Sequence, residues 1–130
     1  MENEFENNIK DLDILVDDEN LVSFSQIILK SNDIQADENG MKYVQAGSFI
    51  DCDGRVVREI NVLDDRDYML SSTPIGVVPK TIDVTNEDVT VSIIVKGCLR
   101  ADMVIEGKFD NTFAEIKGCL PGISYKWRVE

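Results

Sequence analysis

Turn-forming pairs break the chain repeatedly from residue 39 onward. Asn39-Gly40 and Asp53-Gly54 are turn pairs, Ser71–Pro74 and Thr85–Asp88 are polar reversals, and Pro121-Gly122 closes the series. Asn-Gly and Asp-Gly readily supply the positive φ angles of a tight reversal. Between these breaks there is room only for short elements, which points to a mainly β (α+β) chain. Met41–Val44 and Ser48–Ile50 read as short strands separated by Ala46-Gly47. Arg55–Leu63 does not alternate cleanly and reads as a half-buried or bulged strand. Ile75–Val78 is a short buried strand, with Pro79 excluded from any central ladder position. Val89–Val95 (VTVSIIV) is the strongest strand, rich in β-branched residues and ended by Gly97. Asp102 is placed to cap a short turn before Met103 and Val104. Phe109, Phe113, Ile116 and Leu120 recur at helical spacing and predict one helix over Phe109–Leu120, with Asp110 as N-cap. Ile123–Trp127 reads as a terminal strand.

The first forty residues differ from the rest. They hold 11 acids and 2 bases, a net −9, against 14 acids and 11 bases, a net −3, in residues 41–130; the whole chain carries −12. That break divides an acidic N-terminal arm, residues 1–40, from a β-rich domain, residues 41–130. The arm is more than a solvating tail. Phe5, Ile9, Leu12 and Val16 would line one face of a helix, while Leu12, Ile14 and Val16 fit a strand equally well. Leu21–Leu29 (LVSFSQIIL) is a second apolar stretch, short enough for a strand or a two-turn helix. An acidic segment interleaved with regularly spaced apolar residues is read first as an arm that docks or folds on a partner. A DNA mimic and a solubilising tail are the other readings.

The charge disfavours direct binding to nucleic acid or to an anionic membrane, since both need neutralising Lys and Arg. No apolar run reaches the roughly 18 residues of a membrane span. The acidic start, MENEFENN, is the reverse of a signal peptide. With no His, the His-dependent nucleophile systems and His metal ligands are closed. Cys52, Cys98 and Cys119 form no CxxC pair, which favours free thiols and a reducing compartment. There is no GxGxxG or GxxxxGK[ST] phosphate loop.

Three clusters invite a chemical reading. Asp51-Cys52-Asp53-Gly54 opens like a calcium loop, but calcium needs six to eight oxygens. The position that should supply a bidentate Glu is Val62, so the motif is read as a solvated hairpin turn. Asp64, Asp65 and Asp67, with Arg66 among them, read as a solvated loop rather than a metal or acid–base site. Cys98, flanked by Lys96 and Arg100, is the one candidate nucleophile of a small enzyme; packing as a small hydrophobe is the simpler reading. No cofactor, metal or catalytic residue is expected, and the chain is read as a non-enzyme.

The order of several segments carries more information than any one of them. The chain runs MKYVQAGSFIDCDGRVV, then PIGVVPKTIDVTNEDVTVSIIVKGCLRADMV, then FAEIKGCLPGISYKW. This series resembles the head decoration proteins of tailed bacteriophages, the lambda-type capsid-stabilising group. The matching pieces are Ala46-Gly47-Ser48, Gly76-Val77-Val78, Asp83-Val84-Thr85 with its polar turn, the strand through Val91 to Asp102, and Leu120-Pro121-Gly122-Ile123. Two departures stand out: the long acidic lead before Met41, which bears on how the protein would attach, and a loose fit at residues 105–110. The resemblance implies a small β-rich domain, barrel-like or β-tulip-like. It also implies a homotrimer on the outer surface of the expanded major capsid protein lattice, made in the bacterial host cytoplasm and carried on the virion. On that reading the docking residues are Phe5, Ile9, Leu12, Ile14 and Val16. The alternative is an acidic inhibitor that occupies a basic, nucleic-acid-binding surface of a host protein.

Overall fold

The structure, a computed structural model, describes residues 14–17, 20–62 and 67–127. Its described residues form a mainly β fold of nine strands and two short helices. In chain order the strands are β1 (Val22–Ile28), β2 (Tyr43–Val44), β3 (Phe49–Asp51), β4 (Glu59–Asn61), β5 (Tyr68–Leu70), β6 (Pro74–Val77), β7 (Ile82–Asp83) and β8 (Val89–Arg100). Helices α1 (Ala101–Val104) and α2 (Phe113–Cys119) follow, then β9 (Ile123–Lys126). The main sheet has the order β1-β8-β6-β3, with β9 also paired to β8; β2–β7 and β4–β5 form separate two-stranded ribbons. The sheets do not close into a barrel.

Adjacent residues in a strand point to opposite faces, and here both faces are buried. Phe49, Val77 and Ile94 belong to one core with Leu99, Val104, Phe109 and Ile116. Their chain neighbours Ile50, Val78 and Ile93 belong to a second core with Ile28, Val44 and Val84. The centre of the sheet is therefore covered by the helices on one side and by the β2–β7 ribbon on the other. This is why the residues of β3 are all buried and show no alternation.

Leu21–Leu29 resolves as a strand, and it pairs antiparallel with β8 from Val22↔Lys96 to Ile28↔Val89. Residues 22–28 of the acidic segment are thus built into the same sheet as the rest. Gly97 does not end β8. The chain passes through it with φ +156° and exchanges partners. Before Gly97, β8 pairs with β1; from Gly97 to Arg100 it pairs parallel with β9 and bridges Leu15. The predicted strand Arg55–Leu63 is shorter than expected. Val56 bridges Ile50, Val57 N–H donates to Phe49 O at 2.8 Å, and only Glu59–Asn61 forms β4.

The single predicted helix is also corrected. Among the described residues there are two helices, and the longer one starts at Phe113 rather than Phe109. Asp110 does not cap it; its Oδ1 accepts Gly107 N–H at 3.0 Å. Thr112 is the N-cap residue but makes no cap bond of its own. A carboxylate from another element, Glu59, holds this turn instead. Four-residue α1 starts directly from the end of β8, with Asp102 in its first turn paired to Arg100 at 3.3 Å.

Candidate functional site

The N-terminal docking residues fall into two groups. Phe5, Ile9 and Leu12 lie outside the described residues. Ile14 and Val16 lie on a short segment that runs antiparallel to the end of β8. Arg100 N–H donates to Ile14 O at 2.7 Å and Val16 N–H to Cys98 O at 3.0 Å. Ile14 is 2% exposed and sits in the core; a Cβ at Gly47 would come within 3.3 Å of its Cγ2. Val16 faces solvent at 38%. Ile14 therefore anchors the segment, and Val16 is the member of the pair open to a partner.

The Asp51–Gly54 hairpin forms, with Gly54 at φ +87°. Asp51 is buried at 5% rather than solvated. Its Oδ1 accepts Asp53 N–H and Arg55 N–H, both at 2.9 Å, and its Oδ2 accepts the Ser72 hydroxyl at 2.7 Å. Both of its oxygens are engaged, one in building the turn and the other in tying it to Ser72. The hairpin is locked to the end of β1. A Cβ at Gly54 would lie 2.1 Å from Ile27 O, and Leu29 N–H donates to Gly54 O at 3.0 Å. Buried Asn32 completes the lock, accepting Val56 N–H at 2.7 Å and donating to Leu29 O at 2.7 Å and Gly54 O at 3.0 Å.

Of the acidic loop, Asp64 and Asp65 lie outside the described residues. Asp67 is exposed, and its carbonyl accepts Val62 N–H at 2.8 Å to close the β4–β5 ribbon. No group of His, Cys, Asp or Glu among the described residues is arranged to hold a metal ion. Cys98 is half-buried on β8 opposite Ser124, and Arg100, one of its two flanking cations, is engaged with Asp102. Cys52 and Cys119 are exposed free thiols.

A cleft of about 370 Å³ opens between the 55–59 segment and the turn before α2, lined by Phe49, Val57, Arg58, Glu59, Lys108 and Phe109 among others. Two of its polar groups, Glu59 and Arg58, are already committed. Glu59 accepts Asn111 N–H at 2.8 Å, Asn111 Nδ2 at 3.3 Å and the Thr112 hydroxyl at 2.8 Å. Burial alone would raise the Glu59 pKa, but these hydrogen bonds outweigh it and hold the carboxyl below its ordinary value. Arg58 donates to the carbonyl of Asp33. Desolvation holds the Lys108 ammonium below its ordinary range.

The surface feature that sequence reading missed is apolar. β1 is exposed along most of its length, with Val22, Phe24 and Ile27 each close to half-exposed. The β4–β5 ribbon exposes Ile60 and Met69, and Val62 beyond its end, to a similar degree. One signal was available. Leu21–Leu29 contains no charged residue, in a chain where 29% of residues are charged.

No family model matches the chain, and no curated protein or solved structure matches it.

Proposed function

We propose that this protein is a bacteriophage head decoration protein. It binds the outer surface of the expanded major capsid protein lattice, as a trimer, and stabilises the head. The carrying observation is the order of the segments that resemble that family. Those segments occupy consecutive structural places. Ala46-Gly47-Ser48 leads into β3, Gly76-Val77 lies in β6, Asp83-Val84-Thr85 turns out of β7, and Leu120–Ile123 leads into β9. The pattern therefore follows the sheet and its two cores, which supports reading it as a fold signature of the β-tulip-like kind.

The mechanism follows from linkage. A packed capsid is a thin shell under outward pressure. A trimer that bridges neighbouring capsomers adds contacts that must break before the shell opens. Three linked contacts act at high effective concentration, so each can be weak. Selective binding to the expanded lattice stabilises that state by mass action. The N-terminal segment is the docking element. Its described end runs along β8, with Val16 outward, and residues before it add a strand to an exposed capsid edge. The function requires no cofactor, nucleic acid or membrane.

Purified protein mixed with expanded capsids lacking it should pellet with them and raise the temperature at which they rupture, with weaker binding to unexpanded shells. Removing residues 1–13 should weaken attachment while the core stays folded. Protein that neither pellets nor shifts the rupture temperature overturns the reading. The −9 charge of the first forty residues favours the alternative, an acidic inhibitor of a basic host surface. That reading predicts binding to such a surface that collapses with added salt.

A further inference from the structure

The chain builds one turn twice. At Asp37–Met41, Asp37 Oδ1 accepts Asn39 N–H at 2.8 Å and Met41 N–H at 2.9 Å, while Asp37 N–H donates to Met41 O at 2.8 Å and Gly40 N–H to Asp37 O at 2.9 Å. At Asp51–Arg55 the same bonds recur. Asp51 Oδ1 accepts Asp53 N–H and Arg55 N–H, Asp51 N–H donates to Arg55 O at 2.9 Å, and Gly54 N–H donates to Asp51 O at 3.1 Å. The two glycines have matching φ angles, +79° at Gly40 and +87° at Gly54. In both, the leading Asp bonds the backbone two residues on and Gly supplies the positive φ.

The surroundings of the two turns are opposite. Gly54 is buried, with Ile27 O 2.1 Å from where its Cβ would be, and its carbonyl accepts Leu29 N–H and Asn32 Nδ2, both at 3.0 Å. Residues 37–40 are all exposed, and nothing lies within 4 Å of a Cβ at Gly40. The Asn39 side chain makes no hydrogen bond among the described residues. Opening the turn at Gly54 pulls the end of β1 and the Asn32 side chain out of place. Opening the turn at Gly40 breaks only the turn's own bonds, and exposed loops open locally at a small part of the global cost.

Asn followed by Gly closes readily to a succinimide, because Gly has no side chain to obstruct the ring. Gly40 N gives up its proton and bonds to Asn39 Cγ, the bond from Cγ to the amide nitrogen breaks, and ammonia leaves. Water then adds to one of the two ring carbonyls and opens the ring to aspartate or isoaspartate. Water is the only co-reactant. The ring cannot close while Gly40 N–H is held by Asp37 O, so the ease of opening the turn sets the rate. We infer that Asn39 is a spontaneous deamidation site of the folded protein, and that the open setting of its turn makes it one. The product adds one negative charge to the −12 of the chain. In the isoaspartyl form the main chain runs through Cβ, and the lengthened turn cannot keep all of its bonds. It leads directly to Lys42, whose N–H donates to Thr85 Oγ1 at 2.8 Å, and to β2, whose Val44 lies in the second core. The modification therefore loosens the entry to the β2–β7 ribbon.

The test follows the full chain, folded in neutral buffer and unfolded in urea, by peptide mass mapping. Methylation by an isoaspartyl methyltransferase marks the isoaspartyl product. In the folded wild type, Asn39 should convert within about tenfold of its rate in urea, since freeing one exposed hydrogen bond costs no more than that. Asp53→Asn then puts the same Asn-Gly pair into the locked turn, at an exposed side chain. In the folded variant, position 53 should convert more than about tenfold slower than Asn39, each taken relative to its own rate in urea, because several buried bonds must break together. Equal relative rates at the two positions overturn the inference. Asn39 that stays intact while the unfolded chain converts overturns it too. If the variant does not fold, the folded and unfolded rates of Asn39 in the wild type decide the matter alone.

Discussion

Ile93 and Phe24 are register partners in neighbouring strands of one sheet, yet they live in different environments. Ile93 is fully buried in β8, while Phe24 on β1 is 49% exposed. The strand path explains it. β3, β6 and the centre of β8 lie between two cores, so neighbouring residues such as Ile93 and Ile94 fill opposite sides. β1 stands at the end of the path, with only its last residue, Ile28, reaching a core. The centre of this sheet serves stability. Its edge holds apolar surface that no other described strand covers and that contributes little to stability.

The sharpest way to break that comparison is to truncate one aromatic in each region. Phe49 is wholly buried in β3 and meets the Phe109 ring edge-on, with centroids 5.3 Å apart. Phe49→Ala should destabilise by about 3–5 kcal/mol, the usual loss for a buried Phe. Phe24→Ala should lose no more than about 0.5 kcal/mol, the usual range for a surface change. Urea unfolding of both variants decides it. Equal losses would mean that β1 is packed and that the edge is not free.

The boundary between the two regions is the Asn32 lock, and its removal should have the next largest effect. Asn32→Ala leaves Val56 N–H without its acceptor and deprives two carbonyls of a donor. A buried group left unpaired costs about 1–3 kcal/mol. The loss should fall in that range, with faster hydrogen exchange at Leu29 and Val56. Unchanged exchange at both amides would show that water replaces the side chain and that the end of β1 is held by other means.

How far the sequence revealed this arrangement differs element by element, and the reasons are physical. Val89–Val95 was legible because six of its seven residues are β-branched, and the Asp53-Gly54 turn because only Gly tolerates both φ +87° and the close Ile27 carbonyl. The passage of β8 through Gly97 was not legible. A glycine normally weakens a strand, and here the exchange of partners on either side sustains it. The helix start was misplaced for a similar reason. Asp110 is a good local cap, but Glu59, 52 residues away from Asn111 in the chain, fixes the turn instead. The spacing of Phe109, Phe113, Ile116 and Leu120 did identify core residues, though Phe113 is only half-buried at the rim, against Tyr125 and Trp127. For the candidate site, Ile14 reads as apolar in the sequence, and nothing there separates a buried anchor from an outward-facing contact. The exposed character of Phe24 left a single trace, the absence of charge from Leu21 to Leu29, since an edge strand and a central strand share the same residue types.

The rim also sharpens the comparison through Tyr125. Its hydroxyl oxygen is buried without a hydrogen-bond partner among the described residues, and burial pushes its pKa up, assisted by Cys119. A central position would not tolerate an unpaired polar atom without loss. Tyr125→Phe removes that atom while keeping the ring packed on Phe113, so stability should stay level or rise by up to about 1 kcal/mol. A loss larger than that would show that the hydroxyl has a partner in solution.

The smallest expected effect lies at the tie between the β4–β5 ribbon and α2. Glu59 has a folded-state pKa below its ordinary value of 4.5, because the bonds from Thr112 and Asn111 favour the charged form over the opposing effect of burial. The sign follows from linkage: a carboxyl whose pKa is lowered on folding contributes stability that is present above its unfolded pKa and is lost as pH falls through the folded one. Solvent around this partly exposed group screens the contribution, so the effect is modest. The stability difference between wild type and Glu59→Gln should therefore be flat from pH 7 to about 5 and shrink below the unfolded value of 4.5. Glutamine retains one acceptor oxygen, so the variant keeps part of the tie and isolates the charge. Paired unfolding curves across that range measure it directly. A difference that is constant through pH 3 would mean that Glu59 holds the helix start by shape rather than by charge, and that the ribbon is attached to the body through its neighbours.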